Sequence, residues 1–221
     1  MPEPPPATVT LRVGCAQLAR HGQDRALVDS VLGLFGVFDG VGEFRDSGRA
    51  AQLAADVIAR ACREQPLAPL DALVRGCEEA DRAIGATITG ATTATVAWII
   101  GPQLHYVSVG DSRLYRQPIG GPLVQVTRDE GEGNVLDNYL GHGRPWPATS
   151  VVRQRGTLSA EAGDRVLLVT DGITGDFAPD LLTPEDLAAA LTGPDPQAAA
   201  EALVRVARKV DDRTALVIFL G

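Results

Sequence analysis

Thr93-Ala94-Thr95-Val96-Ala97-Trp98-Ile99-Ile100-Gly101-Pro102-Gln103-Leu104-His105-Tyr106-Val107-Ser108-Val109-Gly110-Asp111 sets two β-rich runs on either side of a Gly-Pro break and stops at Gly-Asp. β-Branched residues recur in both runs, and the punctuating pairs are turn formers, so the stretch predicts antiparallel neighbours. Downstream, Arg113–Arg116 and Leu123–Thr127 continue the meander, and Val151–Gly156, Arg165–Thr170 and Thr214–Leu220 add strands. Upstream, Val9–Val13 alternates like a strand, and Val31–Phe38 is a continuous apolar run ending at Asp39-Gly40. Helical stripes separate these strands. One, capped by Ser47, carries Ala50, Leu53, Ala54, Val57, Ile58 and Ala61 on one side; another opens at Pro69. Pro184–Leu191 and Gln197–Val210 complete the helices, and polar, Gly-rich Arg128–Ser150 reads as a long surface loop. Hairpin-like runs of strands, without regular strand–helix alternation, predict an α+β fold with antiparallel sheets.

The 221 residues are 45% hydrophobic and 22% charged. That balance suits an ordinary globular domain and excludes disordered, collagen-like and coiled-coil classes. The Pro-rich head predicts a flexible tail over residues 1–8, with one domain over 9–221. A net charge of −8 argues against nucleic-acid binding and against docking on anionic lipid. No apolar run is long enough to span a membrane. Three cysteines without a close pair, and no visible signal peptide, predict a reducing, cytoplasmic location.

Aspartates recur at strand ends. Asp39 closes Phe35-Gly36-Val37-Phe38, Asp171-Gly172 repeats that setting after Arg165–Thr170, Asp111 follows Val109-Gly110, and Asp211-Asp212 precedes the last strand. Two carboxylates about 4 Å apart repel by roughly 4 kcal/mol at an effective dielectric near 20. A converging set therefore calls for cations or shared protons. Oxygen-only donors, with no Cys or His cluster, favour magnesium or manganese over zinc. Each Asp-Gly pair taken alone reads equally as turn chemistry.

The wording of these blocks resembles the metal-dependent protein phosphatases of type 2C, the PPM family, in a compact bacterial-like form. The matching blocks are Gln23-Asp24-Arg25-Ala26, Leu34 through Gly42, Gly90-Ala91-Thr92-Thr93-Ala94, Val109 through Tyr115, Gly163 through Gly172, and Asp211-Asp212-Arg213-Thr214. They run in family order over about residues 10–220. The resemblance implies a four-layer α-β-β-α sandwich, two antiparallel sheets flanked by helices, with two or three Mn2+ or Mg2+ ions in a cleft at one end. It implies that Asp39, Gly40, Asp171 and Asp211 hold metal, that Asp24 holds metal-bound water, and that Asp111 contributes to a third site. The implied activity is hydrolysis of phosphoserine and phosphothreonine on proteins, acting through Asp39 and Asp171. The attack would come from a metal-bridged hydroxide, without a phosphoenzyme. The implied partners are a phosphoprotein substrate and a Ser/Thr kinase. Three positions depart from the pattern. Arg20 lies one place from the usual phosphate-gripping Arg, Gln23 replaces a Glu, and Val41 replaces the His that often follows Asp-Gly. The displaced Arg, Gln23 and a 128–150 segment shorter than the flap many members of the family carry motivate an alternative reading: a weak or inactive signalling or scaffold domain.

Overall fold

In a computed structural model of the chain, residues 9–42, 44–64, 67–141 and 150–221 are described. Strand β1 (Leu11–Leu18) is followed by β2 (Arg25–Asp29) and β3 (Leu34–Phe38), then by helices α1 (Ser47–Arg63) and α2 (Pro69–Thr87). The meander comprises β4 (Ala91–Thr92), β5 (Ala94–Ile100), β6 (Gln103–Val109), β7 (Arg113–Gln117) and β8 (Val124–Gln125). Three two-residue strands follow, β9 (Gly131–Glu132), β10 (Val135–Leu136) and β11 (Leu140–Gly141). The chain ends with β12 (Gln154–Ser159), β13 (Arg165–Val169), one helical turn α3 (Asp171–Thr174), α4 (Pro184–Ala190), α5 (Pro196–Val206) and β14 (Arg213–Leu220).

The strands form two five-stranded antiparallel sheets, ordered β1-β14-β13-β7-β8 and β12-β6-β5-β3-β2. Strand periodicity explains the layering, because alternate side chains point to opposite faces. In β3, Phe35 and Val37 enter the core between the sheets, while Leu34 and Phe38 pack under α1 and α2. In β14, Leu216, Ile218 and Leu220 face the same central core, while Ala215, Val217 and Phe219 pack under α4 and α5. β13 splits the same way, with Val166 and Leu168 inside and Leu167 and Val169 outside. These strands are apolar on both faces because both faces are covered. The result is the α-β-β-α sandwich.

Several boundaries shift from the sequence expectation. The apolar run from Val31 does not start as strand: Val31 is fully exposed in a turn, where Asp29 accepts the Leu32 N–H and Gly33 has φ 72°. That turn closes a β2–β3 hairpin, and β2 had no separate signal. Ser47 does not cap α1; it is the first helical residue, and its hydroxyl donates to the Val41 and Phe44 carbonyls instead. Val151 and Val152 join the core under α1 and α2, so the following strand begins at Gln154. The 128–150 segment is not plain loop, since β9, β10 and β11 lie within it. The tail at 1–8 lies outside the described residues.

Candidate metal centre

Strand register brings the aspartates to one end of the sandwich. Phe38 pairs with Arg25 and Ala94 with Val109 in one sheet; Val169 pairs with Arg113 and with Ala215 in the other. Asp39, Asp24, Asp111, Asp171 and Asp211 therefore all leave or enter strands at this end. The main chain of Asp39 is fastened from both sides. Its N–H donates to Thr93 Oγ1 at 2.9 Å, and its carbonyl accepts from Thr93 N at 2.8 Å and Thr92 Oγ1 at 2.9 Å. A Cβ on Gly40 would lie 2.8 Å from Ser47 backbone, so glycine lets the Asp-Gly turn sit against the start of α1. At Gly172 a Cβ would lie 1.8 Å from the Asp212 carbonyl oxygen. That close approach is what sets Asp171 beside the Asp211-Asp212 segment.

Asp39, Gly40, Asp111, Asp171, Asp211, Gln23 and Lys209 line a cleft of about 380 Å3, with Val41, Phe44, Val135, Leu136 and Tyr139 along its walls. Burial raises the Asp39 carboxyl well above its ordinary range, and the charges of Asp171, Asp24 and Asp111 push the same way. Asp111 is pushed up to about 7 by burial, then by Asp171 and Asp129. Asp24 also reaches about 7 through burial, although hydrogen bonds from Thr214 and Thr170 hold it down. Those hydroxyls donate to Asp24 Oδ2 at 2.7 and 2.8 Å. Asp24 Oδ1 and Asp171 Oδ1 are buried without a hydrogen-bond donor. Buried acceptors left in this state are costly, and hard cations with oxygen preference satisfy them. The donor set therefore fits a divalent ion of the magnesium or manganese class. One charge is already countered: Lys209 Nζ donates to Asp171 Oδ2 and lies 3.0 Å from Asp176 and 3.2 Å from Asp211. Among the described residues, no three His, Cys, Asp or Glu side chains are grouped so that they could hold a metal ion as they stand.

No protein-family model and no curated protein matches the chain in sequence. Solved structures do. The PPM Ser-Thr phosphatase MsPP from Mycobacterium smegmatis superposes with a TM-score of 0.75 at 25% identity, over 97% of this chain and 100% of that one. The Mycobacterium tuberculosis serine/threonine phosphatase PstP/Ppp gives 0.76 at 24%, over 95% and 98%. PppA, a regulatory component of T6SS in Pseudomonas aeruginosa, gives 0.74 at 24%, over 97% and 100%. The chain has the fold of the PPM-type phosphatases. The whole PPM sandwich is present, since the matches span nearly all of both chains.

Within this PPM fold, Asp39, Gly40, Asp111, Asp171 and Asp211 share the cleft, and Asp24 lies buried beside them. Arg20 does not line it. Its main-chain N–H donates to Asp212, and its side chain is exposed. Sequence reasoning missed three contributors. Asp212 is one: its carboxylate accepts main-chain N–H groups from Arg20, His21, Gln23 and Asp24. Burial would raise its pKa, but the backbone donors outweigh burial and hold it at about 2. Lys209 and Asp176 are the others. The available signal was that Lys209 is the only lysine in the chain and stands two residues before Asp211.

Proposed function

We propose that the cleft hydrolyses phosphoserine and phosphothreonine monoesters on proteins, dependent on Mn2+ or Mg2+. The observation that carries this is the meeting of Asp39, Asp171, Asp24 and Asp111, two of them with bare buried oxygens, at one end of a PPM sandwich. The catalytic domain of serine/threonine protein phosphatase PstP, which shares this fold at 23% identity and a TM-score of 0.74, has been solved in complex with two manganese ions, which supports the same class of ion here. In this chain Asp39, Asp171 and Asp211 are the proposed direct ligands with the Gly40 carbonyl; Asp24 and Asp111 extend the set. Cations held there supply water activation near neutral pH and neutralise charge on the phosphoryl oxygens.

The protein's own part is positional. Thr92 and Thr93 fix the Asp39 backbone, so its carboxylate direction is set before substrate arrives. Asp212 fixes residues 20–24, which places Gln23 on the cleft wall and Asp24 behind it. Arg20, held by that same loop, is the proposed phosphate-gripping side chain. With Val41 after Asp39-Gly40, no imidazole stands there to protonate the leaving alkoxide. A phosphoprotein substrate, a partner Ser/Thr kinase and a cytoplasmic setting complete the proposal; no helix among the described residues is long and apolar enough to cross a membrane.

Lys209 favours a second reading, a catalytically weak or inactive signalling domain, because its ammonium engages Asp171 and Asp211. Phosphate release from a phosphothreonine peptide separates the two. The phosphatase reading predicts release with Mn2+ that excess chelator abolishes. Release unaffected by chelator contradicts metal dependence, and Mn2+ binding without release supports the second reading.

A further inference from the structure

All but one of the 20 Lys and Arg residues are arginine, and the single lysine, Lys209, points into the acidic cleft. Its ammonium faces three carboxylates, Asp171, Asp176 at 3.0 Å and Asp211 at 3.2 Å. An ammonium has three donors on a compact point charge, which matches three carboxylates arranged around it; a planar guanidinium does not. The side chain is largely shielded, at 18% exposure, and Asp176 and Asp171 are at 11% and 15%. Asp171 lies between Lys209 and the Asp39 carboxyl. Oδ2 meets Lys209, whereas Oδ1 is buried without a donor. Asp39 on the cleft wall and Asp24 buried behind it form no ion pair with Lys209, and Asp24 Oδ1 is likewise bare. The acidic cluster thus has two halves: one in which a tethered cation offsets one of three negative charges, the other with no such cation.

We propose that Lys209 is a resident cation of this centre, occupying the Asp171–Asp176–Asp211 side in place of one divalent ion, so that Asp211, a metal ligand in the full-complement reading above, pairs with Lys209 instead. The chain then binds one divalent ion fewer than it would with a neutral side chain at 209. The inference rests on the reading of the cleft as a divalent-metal centre. It also accounts for the position of a lone lysine in a chain that otherwise uses arginine.

The test counts Mn2+ bound per chain after equilibrium dialysis, for wild type and for Lys209→Ser. The serine variant is expected to hold one ion more. Equal counts overturn the proposal. A second measurement needs no variant. Wild-type protein labelled with 13Cε-lysine gives one Cε resonance, because there is one lysine. During a Mg2+ titration that resonance is expected to keep its ion-paired position at saturation; a shift to the position of a free lysine overturns the proposal. Phosphopeptide hydrolysis in parallel keeps the two readings distinct. Hydrolysis by wild type with equal ion counts removes only the role of Lys209. A difference in counts without hydrolysis keeps that role and removes the phosphatase reading.

Discussion

Asp212 shows how a single side chain can organise a site without touching substrate. Its two oxygens collect main-chain donors from a loop 188 to 192 positions away. Unpaired donors cost about 1–3 kcal/mol each where buried, and here the Asp24 N–H is buried while those of Arg20, His21 and Gln23 are partly so. Urea unfolding of Asp212→Ala is therefore expected to show a loss of at least about 2 kcal/mol. A change within about 0.5 kcal/mol, typical of an indifferent surface site, contradicts that role. Asp39 gives the opposite balance. Its buried charge faces other carboxylates, so Asp39→Asn relieves repulsion in the metal-free protein while removing a proposed ligand. The expected pair of results is a higher melting temperature in chelator and a loss of more than about 10²-fold in Mn2+-dependent phosphate release. A lower melting temperature contradicts the repulsive cluster. Asp39, Asp111, Asp171 and Asp211 were legible from their strand-end settings. Asp212 was not, because a second Asp in a pair shows nothing of the backbone donors it will meet.

Among the elements, the strands covered on both faces were easiest to read. β6 matches its expected span, and β5, β7, β13 and β14 differ from theirs by a residue at one end. Their continuous apolar character follows from lying between layers. The misplacements occur where an apolar residue serves a different role. Val31 belongs to a turn tip, and Val151 and Val152 fill the core beneath α1 and α2 before their strand begins. Helix α3 escaped notice because one turn carries no periodicity. The energetic consequence is strongest in the central core. Leu168→Ala, at a fully buried position between the sheets, is expected to cost about 2–5 kcal/mol in urea unfolding. A cost below about 1 kcal/mol contradicts that packing. Gly172→Ala tests the approach of two elements. A Cβ there meets the Asp212 carbonyl, so the α3 start and the β14 entry must separate. Weaker Mn2+ binding by calorimetry is expected, and wild-type affinity contradicts the close approach.

For the molecule as a whole, the family motifs indicated the sandwich, but only coordinates bring the motifs together. Asp24 meets Thr214 across 190 positions and Thr170 across 146. No local pattern encodes such a contact; it arises because two antiparallel sheets end at the same level. Nor did the blocks disclose Lys209, which lies outside the matched motif. The molecule presents an acidic cleft in which Lys209 offsets part of the charge, and the remaining carboxylate oxygens are the proposed seat of a divalent cation. The most direct measurement is anomalous diffraction at the manganese edge from crystals soaked in Mn2+. The account predicts a peak between the Asp39 and Asp171 carboxylates. A cleft that shows no peak there at saturating Mn2+ would contradict it.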